Sequence, residues 1–149
     1  MREMDYAGFW VRAGAALIDS ILILLIIAPL LTVIYGERYW TGAAIVYGPA
    51  DVLITYVAPA VVVILFWMFK SATPGKLWLK LEIIDADTGG QPTTAQLIKR
   101  YLGYYVSMLP FCLGFFSAGR DPRKQGWHDK LASTLVVRRA ADEASGQKV

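Results

Sequence analysis

Arg12 and Asp19 stand seven residues apart in an apolar run, Phe9 to Tyr35, that holds no other charge. At 3.6 residues per turn that spacing returns to nearly the same face, so Gly8, Arg12, Ala15 and Asp19 form one stripe. Taking an aspartate into hydrocarbon costs at least ~2.5 kcal/mol, so an acid kept there faces protein or water, and such residues often carry function. Ion or proton handling is the chemistry open to it, because burial raises a carboxyl's pKa toward neutrality. In the plainer reading Asp19 anchors helix packing by accepting from Tyr or Trp donors on other helices. Arg12, in its plainer reading, snorkels and sets orientation. The two lie ~10 Å apart along a helix axis, so a direct pair requires both side chains to bend, or a water or third residue to join them.

Other residues invite chemistry with less force. His128-Asp129 suggests metal hydrolysis, but the chain has one histidine and no other clustered ligands, so no metal is expected. His128 is expected to hydrogen-bond near the membrane surface, within reach of titration. Thr73-Pro74-Gly75-Lys76 lacks the glycine spacing of a phosphate loop and reads as a turn packed on the membrane face. Asp85-Ala86-Asp87 before Gly89 resembles the start of a calcium loop, yet no glutamate closes it, so a hairpin turn is preferred. No Ser/His/Asp or Cys/His arrangement points to a nucleophile. No enzymatic activity and no cofactor are expected.

The elements that must position these residues belong to a membrane. Of the 149 residues 56% are hydrophobic and 18% charged, against the ~25% charged of ordinary globular domains; the mean hydropathy is +0.43. Phe9 to Tyr35 reaches roughly 40 Å as a helix, more than a ~30 Å hydrocarbon core, and no cleavage site precedes it, so it reads as an uncleaved first span. Tyr39, Trp40 and Tyr47 in the next loop suit a headgroup belt. Val52 to Phe69 is the second span, with Pro59 as a candidate kink. The third apolar segment, residues 95–117, is interrupted by Gly103, Pro110 and Gly114. Between the second and third segments LWLKLEII alternates from Leu77 and reads as a strand, Thr93 and Gln96 form a capping box, and STLVV is a second strand. Cys112 is the single cysteine and permits no internal disulfide.

Basic residues argue topology. The first loop has one base, Arg38; the middle segment has five (Lys70, Lys76, Lys80, Lys99, Arg100), and the stretch from Gly119 has seven. The positive-inside rule places the N-terminus and middle segment in the cytoplasm. Three full spans would put the seven later bases outside. A Pro-broken segment that re-enters keeps them inside and lets STLVV pair with LWLKLEII; a plain third span with the tail outside is the alternative. The expected fold is therefore an α-helical membrane protein with two full transmembrane helices, a third Pro-interrupted apolar segment that re-enters or spans, and a small cytoplasmic β-hairpin-like element. One domain, residues 1–140, with a disordered tail at 141–149, is the expected organisation.

YAGFWVRAGAALID, ATPGKLWLKLEIID, KRYLG and the run Gly126-Trp127-His128-Asp129 ending in ASTLVV closely resemble the RDD family of small bacterial membrane proteins, in order and over roughly residues 6–138. Trp127 departs from the aliphatic residue or Thr common there. The resemblance maps the family's arginine and two aspartates onto Arg12, Asp19 and Asp129. It implies a multi-pass protein of the bacterial inner membrane and, for some members, sodium/proton exchange.

If the tail is inside, Arg12, Thr73 to Lys76, Lys99-Arg100 and His128-Asp129 share the cytoplasmic face, with Asp19 about two turns deeper. The expected site is a polar, inward-opening vestibule that ends at Asp19, with Arg12, Asp129 and His128 handling ions or protons and Thr73, Lys76 and Arg100 supporting them. Three functions follow. The first is a small transporter exchanging sodium for protons at Asp19, as a homo-oligomer because the segments are few. The second is a scaffold or partner subunit, its small residues Ala13, Ala16 and Ser20 allowing close helix contact. The third is a lipid-binding protein whose inner bases hold anionic headgroups. The lipid bilayer is the expected partner throughout; nucleic acid is not, since the bases adjoin apolar segments.

Overall fold

The computed structural model describes residues 5–139, so the tail at 141–149 lies outside the described residues. Helix α1 is Phe9–Tyr35, closed by Gly36 at φ 66°, whose N–H bonds Thr32 O. Its outward face, including Leu24, Leu25, Ile26 and Val33, is exposed, as lipid contact requires. A short helix α2, Arg38–Thr41, leads to the second span. There α3 (Pro49–Val52) passes through a π-helical turn, Leu53–Val57, into α4 (Ala58–Lys70). Pro59 has no N–H to offer the preceding turn, and the widened turn ahead of it absorbs that loss without stopping the helix.

Ser71 ends α4 in the left-handed region, and the chain enters α5, Pro74–Trp78. The alternation read from Leu77 as a strand is corrected here. Pro74 at the first turn favours helix, and pairing begins only at β1, Leu81–Asp85. Strand β1 is antiparallel to β2, Thr134–Arg138, with Ile83 opposite Val136. Tyr6 bridges to Val137, and Ala7 N bonds Val136 O at 2.9 Å. Residues 5–7, β1 and β2 therefore share one end of the molecule.

The third segment explains how. Helix α6, Thr94–Met108, starts on a capping box, Thr93 with Gln96, and α7 is Leu113–Arg120. The two axes differ by 103°. Phe111 and Cys112 carry positive φ in the elbow, and Gly114 sits so close to Ser107 that a Cβ would lie 2.6 Å from its Cα. The segment folds back on itself, and the strands on either side of it pair. Helix α8, Trp127–Ala132, lies against α6, where Gly103 gives His128 room. A core of Ala7, Ala15, Trp67, Leu81, Ile83, Leu97 and Val136 ties sheet, α1, α4 and α6 together.

Candidate functional site

Asp129 is the hub. Its Oδ2 accepts from Arg12 Nη2 at 2.5 Å and from Gly126 N at 2.8 Å, closing the first turn of α8; its Oδ1 accepts from Arg100 Nη1. Arg100 Nη1 also donates to Thr134 Oγ1 at 2.7 Å, and Arg12 Nη1 to Lys124 O at 2.6 Å. Asp129 and Arg100 are wholly buried. Burial alone pushes the Asp129 carboxyl up; Arg100 and then Arg12 overcome that and hold it well below the usual carboxylate range.

His128 differs from expectation. It is buried, between the rings of Tyr104 and Phe115, and burial pushes its imidazole down to about 2, outweighing the pull of Asp129. Because an arginine only donates, the 3.0 Å contact with Arg12 Nη2 makes Nε2 the acceptor. Nδ1 then carries the proton and donates to Ser107 Oγ at 3.2 Å. The ring is a neutral spacer rather than a surface titrating group.

Asp19 is not paired with Arg12. Its Oδ2 accepts from Thr73 Oγ1 at 2.5 Å and its Oδ1 from Gly75 N at 2.7 Å. It thus caps α5 from across the helix pair, satisfying backbone that α5 leaves open. Gly75 permits this, since a Cβ there would sit 2.2 Å from Ala15 O. The turn read from sequence as packing on the membrane face is clamped onto α1.

These groups border a partly open cavity of about 610 Å³ lined by residues of α1, α4, α5, α6, α7 and α8. Arg12, Asp19, Thr73, Lys76, Arg100 and His128 line its polar part; Asp129 stands behind them. Lys76 is buried, and among the described residues it makes no hydrogen bond or ion pair. Arg100 leaves Nε and Nη2 without partners, its guanidinium lying 5.5 Å from the Trp67 ring and 5.8 Å from that of Tyr104. Ala13, Ala16 and Ser20, read from sequence as allowing close helix contact, line the cavity. No group of three or more His, Cys, Asp and Glu able to hold a metal occurs among the described residues.

Sequence reasoning gave no site role to Trp67 or Tyr104: Tyr104 stands four residues after Arg100 on α6, a spacing that puts the two on one face, whereas Trp67 meets Arg100 only once α4 and α6 pack. It also passed over Asp51, although an acid two positions after Pro49, at the head of an uncharged span, is a pattern worth noting.

Two lipid-facing helices, a third segment bent back on itself and a buried ion network at one end define a multi-pass membrane protein with a one-ended polar cavity. The chain belongs to the RDD family, whose model matches residues 6–133. It is 40% identical over 75 residues to uncharacterized protein RP437 of Rickettsia prowazekii (strain Madrid E), a match that covers 50% of this chain and 41% of that one. It is 29% identical over 137 residues to uncharacterized membrane protein YteJ of Bacillus subtilis (strain 168), covering 89% of this chain and 80% of the relative. Uncharacterized protein YxaI of the same organism is 28% identical over 149 residues, covering 88% and 96%. The chain therefore spans less than half the length of the Rickettsia relative. No solved structure matches.

Proposed function

We propose that this protein is a non-enzymatic, membrane-embedded binding protein or carrier whose cavity takes an acidic ligand. The observation that carries this reading is a charge imbalance. Arg12, Lys76 and Arg100 face two carboxylates, Asp19 and Asp129, both already engaged, beside a neutral His128. An uncompensated buried cation is expensive, and a bound anion removes that expense. The cavity volume falls within the ~300–1,000 Å³ of small-molecule sites. Protein purified from its own membrane and weighed intact should carry an acidic adduct that Lys76→Met loses. If the wild type carries none and no acidic compound raises its unfolding temperature, the reading fails.

Sodium/proton exchange is the second reading, favoured by one observation: Asp19 lines the cavity. It requires Asp19 to release Thr73 and Gly75 when it takes an ion, and it requires a homo-oligomer. Vesicles loaded with a pH dye decide it, since Asp19→Asn must abolish sodium-driven proton movement. The scaffold reading predicts a co-purifying partner and no flux.

The site's end of the molecule is taken as cytoplasmic, in a bacterial inner membrane with both termini inside, because its bases outnumber the single Arg38 of the opposite loop. A cysteine placed in the last ten residues of a Cys112→Ser chain should resist an impermeant thiol reagent on intact cells. Labelling from outside would reverse the orientation.

A further inference from the structure

The cavity has two chemically distinct parts, and their combination narrows the ligand. One part presents Lys76 and Arg100. Arg100's unpartnered Nε and Nη2 form the side-on edge of the guanidinium, the fork that matches two oxygens of one acid group; both are buried beside the Trp67 and Tyr104 rings, so an acid group engages them as the side chain turns toward the cavity. Nη1, on the other edge, is used by Asp129 and Thr134. The other part is apolar and follows α1 inward from Ala13 through Ala16 to Ile23, facing Met108 and Phe116 of the bent segment. From Arg12 to Ile23 the helix rises roughly 16 Å, so this wall is long relative to a small ion and suited to a hydrocarbon chain.

We infer that the cavity holds a glycerophosphate-type acidic lipid, its phosphodiester between Lys76 and Arg100 and one acyl chain along the small-residue wall of α1. This deepens the acidic-ligand reading and rests on it. Three features select that class. Burial and the neighbouring Arg100 push the Lys76 amine down, so an anion is what lets it keep its proton; with Lys76 protonated the imbalance is one positive charge, which a phosphodiester monoanion cancels and a dianionic phosphate monoester overshoots. A headgroup bearing choline or another ammonium is zwitterionic and brings no net negative charge, so it leaves the surplus cation uncompensated. Finally, the α1 wall sets Ala13, Ala16 and Ser20 among Leu17 and Ile23, so part of the space beside it comes from side-chain size at those three positions.

The test uses full-length protein, delipidated in detergent, with three probes: phosphatidylglycerol, phosphatidylcholine and inorganic phosphate. Intact-mass measurement counts bound lipid, and the unfolding temperature reports phosphate. Phosphatidylglycerol should be retained about tenfold more than phosphatidylcholine, the ratio of one charge-assisted contact, and Lys76→Met should bring the two level. Ala16→Phe, which fills the wall, should lower phosphatidylglycerol retention by a similar factor; Ala13→Leu serves the same purpose if that variant does not fold. Equal retention of the two lipids by the wild type overturns the inference. Stabilisation by inorganic phosphate with no lipid preference leaves the acidic-ligand reading standing and removes the lipid. No response to any of the three removes both.

Discussion

The two ends of the α1–α4 helix pair each bury a carboxylate, and they use it differently. At the loop end Asp51 is 1% exposed and accepts from Tyr39 Oη at 2.9 Å, Tyr47 N at 2.9 Å and Thr55 Oγ1 at 2.8 Å. Every donor there is neutral, and the rings of Tyr35, Tyr39 and Tyr47 pack together beside it, Tyr35 stacked on Tyr39 and Tyr47 tilted against both. At the sheet end Asp129 receives two arginines, a lysine stands nearby without a partner, and a cavity adjoins them. A buried acid whose oxygens are matched by neutral donors is a fastener. Surplus cations beside a vacant volume are a place for something else.

The largest test of that contrast is Asp129→Ala. It leaves the buried Arg100 and the partly buried Arg12 without their carboxylate, where breaking a buried pair costs about 3–5 kcal/mol, and it removes the acceptor for Gly126 N. The expected outcome is failure to accumulate folded protein, read as loss of a monodisperse peak after detergent extraction. A variant that folds and melts within a few degrees of wild type would show that the ion network does not hold the sheet end together.

Asp51→Ala comes next. It leaves the Tyr39 and Thr55 hydroxyls and the Tyr47 N–H without an acceptor, at a cost of about 2–3 kcal/mol. Acidic-lipid retention at the sheet end should be unaltered. If retention falls with stability, the two ends are coupled through α1 and the contrast is false.

Most of the sheet end was legible in the sequence because its residues are anomalous for their surroundings. Arg12 and Asp19 interrupt an apolar run, and Lys99-Arg100 and His128-Asp129 punctuate the approaches to the third segment. Which acid meets which base was not legible. Spacing along α1 put Arg12 and Asp19 on one face about two turns apart and named no partner for either, whereas the bend between α6 and α7 delivers Asp129 to Arg12 and leaves Asp19 to cap α5. That outcome depends on an elbow whose φ values at Phe111 and Cys112 no local propensity announces. The strand misread at Leu77 has a related cause. Leu77 and Leu79 alternate as a strand would, but Pro74 and the Asp19 cap act first on that backbone.

A smaller effect is expected from pH. His128 has its folded-state value pushed down to about 2, against ~6.5 in an unfolded chain. Between those values the unfolded state binds a proton that the folded state refuses. Stability is therefore full above about pH 6.5 and falls as pH drops below it, by up to about 1.4 kcal/mol per pH unit. Asp129 adds to the loss only below the ordinary carboxylate range, where the unfolded chain begins to take up its proton. His128→Gln should flatten the unfolding temperature between pH 6.5 and 4.5 relative to wild type. An unchanged slope would mean that the imidazole already titrates in the folded protein.

The smallest expected change in stability, and the one that separates the two ends most sharply, is at Lys76. A residue that fastens a structure weakens it when removed, as Asp51 should. Lys76 holds nothing among the described residues, and burying its charge works against folding when no anion is present. Lys76→Met keeps the length and apolar stem of the side chain and removes the charge, so unliganded protein should be unchanged or more stable by about 1 kcal/mol or less. Added phosphatidylglycerol should raise the unfolding temperature of the wild type and not of the variant, so the order of the two inverts as lipid is added. A variant less stable than wild type without lipid would assign Lys76 to the framework, and the sheet end would then be a fastener like the other.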